Sequence, residues 1–157
     1  MSIETYPDRR RLISAAELAR VQEVVTILDL RQAEDFALGH IAGAKHLDIY
    51  SFSLNNSAPE PLEAFLAMFQ GPFGARGLSR EKPVVVYDHE SGERAARAVW
   101  LLTVLDHPDV KLLDGGADAW TAAGQRLVRV GEAEAPVDPG KAPPTPPPFV
   151  GGRRLEF

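Results

Sequence analysis

Two short runs in this chain are apolar almost without interruption: "VVTILDL", Val24 to Leu30, and "PVVVYD", Pro83 to Asp88. A strand with one face in water alternates polar and apolar residues, because successive side chains point to opposite faces. A strand that is apolar throughout has to be covered on both faces, as in parallel sheets layered between helices. These runs therefore point to an α/β architecture.

The segments around them agree. "ISAAELARV" opens with Ser14 and has Glu17 three residues on, the spacing of a capping box. "AEDFALG" sets Ala33, Phe36 and Ala37 on one helical face, with Gly39 placed as a C-cap. "AKHLD", around Leu47, reads as a short strand. "PLEAFLAMFQG" spaces Leu62, Phe65, Leu66 and Phe69 as a helix. Pro61 suits its first turn, and Gly71 with Pro72 is expected to stop it. "ERAARAVWLLTVL" is apolar nearly all round and is expected to be a buried helix, with Trp100 in the core. "DVKLLD" is a further strand, and "GADAWTAAG" a short helix closed by Gly124, with Trp120 also in the core. The alternation predicts a three-layer fold, a central and mainly parallel sheet with helices on both faces.

A chain of 157 residues fits one domain whose core needs neither disulfide nor metal. The net charge of −5 gives no electrostatic reason to expect nucleic acid or an anionic membrane as a partner. No stretch approaches the ~18 apolar residues of a membrane span. The N-terminus, "MSIETYPDRRRL", is charged and has no apolar segment behind it, so a cytoplasmic protein is expected. Composition shifts at Gly131. Residues 1–131 read as the globular domain and residues 132–157 as a Pro-rich linker or tail, since "APPTPPPF" suits neither helix nor central strand. Such a segment is extended. It joins domains, wraps its own domain, or serves as a ligand for a proline-binding module.

In open parallel sheets ligands gather at the carboxyl ends of the strands. Three strands here end in an acid: Asp29, Asp88 and Asp114. Each is placed to cap the element that follows. After Asp88 comes a short polar loop, His89, Glu90, Ser91, Gly92 and Glu93, and then a helix. Such a loop can turn successive backbone N–H groups toward one point and form an anion cradle, strengthened by the helix dipole. Arg94, just past the loop, is placed to add charge. The alternative is a plain strand-to-helix connection stitched together by Asp88. The chain has no cysteine, which removes disulfides, thiolate metal sites and thiol nucleophiles together.

Three motifs in order carry a family resemblance. "LDLR", Leu28 to Arg31, resembles the early aspartate-x-arginine signature of rhodanese domains. "GHIAGAKHLD", with Gly39, His40 and Gly43, is similar to that family's glycine-histidine-isoleucine-proline-glycine-alanine element, with Ala42 where proline is usual. "LLDGGADAWTAAG", with Asp114, Gly115, Gly116 and Trp120, resembles its terminal aspartate-glycine-glycine…tryptophan signature. The likeness runs from about Ile13 to Val130 and is greatest to the first domain of tandem thiosulfate or 3-mercaptopyruvate sulfurtransferases.

The resemblance implies the rhodanese fold. It also implies that Asp88 stands where active members carry a cysteine that takes up sulfane sulfur as a persulfide. A carboxylate has no low-energy route to a persulfide. The expected function is that of a non-catalytic rhodanese-like domain with a structural, regulatory or protein-binding role, needing no cofactor or metal. Its expected partner is a catalytic rhodanese domain or another protein, with a small anion such as sulfate or thiosulfate as a candidate loop ligand. The alternative is an anion-binding or Asp-dependent enzyme using the loop from Asp88 to Arg94. That loop has the cysteine-five-arginine spacing of rhodanese-like phosphatases, with the cysteine replaced. His40 is read as structural rather than as a base. Arg31 and Arg97 either bind an anionic substrate or pair with acids at strand ends such as Asp29.

Overall fold

The computed structural model describes residues 9–132, so residues 133–157, most of the expected linker or tail, lie outside the described residues. Five strands form one sheet in the order β1-β5-β4-β2-β3, and every neighbouring pair is parallel. The strands are β1 (Leu12–Ile13), β2 (Thr26–Asp29), β3 (Lys45–His46), β4 (Val84–Tyr87) and β5 (Val110–Leu113). The helices are α1 (Ala15–Val21), α2 (Ala33–Leu38), α3 (Pro59–Ala67), α4 (Gln70–Gly74), α5 (Glu93–Val104) and α6 (Gly116–Ala122).

The apolar runs make two cores, one on each face. Along β4, Val84 and Val86 join Leu28, Phe69, Ala98 and Leu101 beneath α3, α4 and α5. Val85 and Tyr87 point the other way, to Leu18, Ile27, Ala117 and Trp120 beneath α1 and α6. All four residues of β4 are buried, as are all four of β2. Burying each Val or Leu stabilises by about 1.5–3 kcal/mol, so these two strands hold the layers together. The switch in strand order falls between β2 and β4. Their carboxyl ends, where Asp29 and Asp88 sit, flank the crevice that such a switch creates.

Local signals act largely as expected. Ser14 caps α1: its Oγ accepts from the Glu17 N–H at 3.2 Å, and the Glu17 carboxylate accepts from the Ser14 N–H at 2.9 Å. Trp120 is buried and donates its ring N–H to the Arg126 carbonyl.

Several expectations need correction. The helix after β4 is buried on one side only, through Ala95, Ala98, Leu101 and Leu102, and Trp100 is 45% exposed instead of lying in the core. Gly71 and Pro72 do not stop a helix; they lie in α4, where Pro72 sits in the first turn and so costs no helical hydrogen bond. The strand around Leu47 is only Lys45–His46, and Val24 belongs to a 3₁₀ turn, not to β2. Gly39 ends α2 with extended backbone (φ 176°), so the left-handed freedom of glycine is not what the site needs. A Cβ there would meet Leu127 at 3.2 Å, and close packing is the reason for a glycine. Neither Asp29 nor Asp114 caps the following helix: Gln32 and Gly115 hold those N-cap positions.

Candidate functional site

The Asp88 side chain leaves the end of β4 and turns inward, 5% exposed. Its Oδ1 accepts from the Gly92 N–H at 3.0 Å, and its Oδ2 accepts from the Ala95 N–H at 3.2 Å. Ala95 is the third residue of α5, so the carboxylate caps that helix from outside its own N-cap position. A Cβ on Gly92 would come within 2.7 Å of Asp88 Oδ2. The loop is wrapped this closely around the carboxylate, and the N–H groups that form the cradle are taken by it.

The other side of the loop is held by backbone. The Asp88 and His89 carbonyls accept from the Ala117 and Asp118 N–H groups at 2.9 and 3.0 Å. These are first-turn donors of α6, so one loop caps two helices. Gly115 and Gly116 make the approach possible. Both have positive φ, 77° and 58°, and a Cβ on Gly116 would lie 2.2 Å from the Glu90 carbonyl. Ser91 Oγ accepts from the Gly115 N–H at 2.6 Å and donates to Asp114 at 3.4 Å. Asp114 itself is exposed.

Arg94 does not aim at the cradle. Its guanidinium pairs with Asp48 at 2.9 Å and stacks over the Tyr50 ring at 4.5 Å. Arg97 donates to the Phe52 carbonyl. His89 reaches Asp35 across the surface at 3.1 Å, and Glu90 and Glu93 are exposed. The loop's exposed neighbours, Glu90, Glu93, Asp114 and Asp118, are all acids. Among the described residues no three His, Asp or Glu side chains gather as a metal site.

Beside the loop lies a second buried carboxylate. Asp29, fully buried, accepts the Arg31 guanidinium at 3.0 Å (Nε) and 2.7 Å (Nη2), the Arg31 N–H at 3.0 Å, and the Tyr87 hydroxyl at 2.6 Å. Tyr87 Oη in turn accepts from the Ile41 N–H, and Arg31 also donates to the Gly39 carbonyl. Burial pulls the Arg31 guanidinium toward the neutral form, but the hydrogen bond and charge of Asp29 outweigh it and its pKa is raised. Burial, followed by the Asp29 charge, also pushes the Tyr87 hydroxyl above its usual value. This network ties β2 to β4 and holds Gly39 to Ile41. His40 completes it structurally: Nδ1 lies 2.8 Å from the Phe36 carbonyl, the ring stacks on Phe36, and its backbone pairs with Val128. Of the residues singled out in sequence, Asp88 to Arg94 and Asp114 to Gly116 thus meet around one loop. Asp29, Arg31, Gly39 and His40 form a neighbouring brace, while Gly43 (φ 81°) serves a turn. Sequence reasoning missed Tyr87, Ser91 and Asp48 as partners. Tyr87 did carry a signal, a hydroxyl at the end of an otherwise aliphatic strand.

This arrangement, two glycines clamping a strand-to-helix loop beside an aspartate-arginine brace, has counterparts. A profile for the rhodanese-like domain matches residues 14–123. The chain belongs to the rhodanese family. It is 38% identical over 111 residues to a thiosulfate sulfurtransferase of Pseudomonas aeruginosa, covering 71% of this chain and 40% of that protein. Against a thiosulfate sulfurtransferase of Azotobacter vinelandii the identity is 34% over 122 residues, covering 78% of this chain and 42% of that one. The chain therefore spans less than half the length of these relatives. The rhodanese-fold structure of SseA from Escherichia coli, described as a 3-mercaptopyruvate sulfotransferase, matches with a TM-score of 0.65 and 26% identity over 76% of this chain and 51% of that one. A 3-mercaptopyruvate sulfurtransferase from Leishmania major shares the fold, with a TM-score of 0.65 at 23% identity over 89% of this chain and 39% of that one.

Proposed function

We propose that this rhodanese-family domain does no sulfur transfer by itself and acts as the structural or protein-binding half of a sulfurtransferase whose cysteine-bearing half lies elsewhere. The observation that carries this reading is the inward, doubly hydrogen-bonded carboxylate of Asp88 in a chain without cysteine. Sulfane transfer by the family route needs a nucleophile that forms and breaks an S–S bond, and a carboxylate does neither. The cradle that would stabilise an anionic sulfur already holds a negative charge. An incoming sulfate or thiosulfate would have to displace it and pass a rim of exposed acids. The short coverage of the sulfurtransferase relatives fits a chain that is one part of such an assembly.

An Asp-dependent, phosphatase-like use of the same loop has less support. Both Asp88 oxygens are engaged, and Arg94 is drawn off by Asp48. Thiosulfate:cyanide sulfurtransferase turnover by the purified chain is the test. The reading predicts thiocyanate production at the blank rate, and turnover above it would overturn the reading.

A further inference from the structure

At the amino ends of the strands, opposite the Asp88 loop, the sheet is incompletely covered. A groove of about 400 Å³ opens there beside α1, with an apolar lining that includes Leu12, Val21, Val25, Pro83 and Val84. A second depression of about 680 Å³ continues it over residues 22–25 to Ala42, Gly43 and Lys82. Val24 lines both and is 64% exposed, an unusual cost for a bare valine. The rim carries Arg20, Lys82 and Lys111. Its acids are partly engaged: Glu17 belongs to the Ser14 capping box and Asp109 pairs with Lys111.

The path of the chain leads back to this groove. Val128 pairs with His40, two residues before Ala42, and the Val130 N–H reaches the Ala37 carbonyl, so the chain at first runs away from the depression. It is then reversed. The Glu132 N–H donates to the Arg129 carbonyl at 3.1 Å, and Gly131, third in the turn, has φ 88°, which favours glycine. The Glu132 carboxylate locks the turn by accepting from the Arg129 N–H at 3.0 Å and from Arg126 at 2.9 Å. The next seven residues are "AEAPVDP", an apolar centre of Ala135, Pro136 and Val137 between the acids Glu134 and Asp138. At ~3.1 Å per residue in extended form they reach about 20 Å.

We infer that residues 133–139 lie across this groove, with Pro136 and Val137 against Val24 and with Glu134 and Asp138 against Arg20 and Lys82. The apolar centre covers the exposed valine, and the two acids match the basic rim. Whatever follows residue 139 then starts from the end of the sheet away from the Asp88 loop. This inference stands whether or not the domain is catalytic.

Zero-length carbodiimide cross-linking of the full 157-residue chain tests it. The expected products are amide links from Glu134 or Asp138 to Lys82, in yields that do not change on tenfold dilution. K82E should abolish those links, and E134K/D138K should raise the deuterium exchange of residues 20–26 several-fold. Mixing ¹⁴N and ¹⁵N chains separates the alternatives. Links found only between copies would assign the groove to a second molecule and overturn the inference. Absence of any such link, together with exchange unchanged in E134K/D138K, would overturn it as well.

Discussion

Asp29 and Asp88 end neighbouring strands and are both buried, yet they are satisfied in opposite ways. Asp29 sits in an ion pair, with Arg31 bidentate and the Tyr87 hydroxyl on its second oxygen. Asp88 has backbone alone, one N–H on each oxygen, at the mouth of α5. The first arrangement cannot lose a partner cheaply, because the remaining charge would be left buried. The second is a site for any compact anion in principle, and the side chain happens to be the anion. The difference separates a brace that must stay intact from a cradle whose occupant is exchangeable by mutation.

The largest expected effect comes from breaking the brace. Arg31→Met leaves Asp29 buried without its cation and is expected to cost about 3–5 kcal/mol, measured by urea unfolding. Asp88→Ala should cost less, about 1–2 kcal/mol, the scale of a lost helix cap. If the two losses proved equal, the proposed distinction would not hold. Tyr87→Phe removes a single hydroxyl from the Asp29 network and is expected to cost about 1 kcal/mol. Arg94→Ala should fall below about 1 kcal/mol, since its pair with Asp48 is partly in solvent. A larger loss there would mean that Arg94 supports the loop after all.

A pH effect of comparable size comes from neither acid. His107 is buried, with Nε2 2.8 Å from the Ser79 carbonyl and Nδ1 accepting from the Asp109 N–H at 3.3 Å. Burial lowers its pKa below the ordinary histidine value. In the window just below ~6.5 the unfolded chain then binds more protons than the folded one, so stability falls as pH falls through it. His107→Gln should flatten that slope in urea midpoints taken from pH 7 downward.

Much of this was legible in the sequence, and the reasons are physical. Uninterrupted apolar runs gave away β2 and β4 because covering both faces requires them. The Ser14 and Glu17 cap is local and needs no tertiary knowledge. What failed depends on distant parts of the chain. β1 is two residues long, too short to show a period. Trp100 lies on a helix with apolar residues on several sides, and only the sheet decides which of them face water. Gly39 answers to Leu127, 88 positions away by difference of the two numbers, and Arg94 to Asp48, 46 positions away. For the candidate site, the loop and its missing sulfur could be read from residue types. That both Asp88 oxygens are occupied could not, since this depends on how closely Gly92 and Ala95 approach.

The central claim is that the cradle is intact and only the nucleophile is absent. Titrating the single thiol of Asp88→Cys in the full chain tests it most directly. The account predicts a pKa well below the ordinary ~8.5 of a free cysteine, because the Gly92 and Ala95 N–H groups and the α5 dipole favour the thiolate. A thiol titrating at or above that value would show that the loop holds no cradle once the carboxylate is gone.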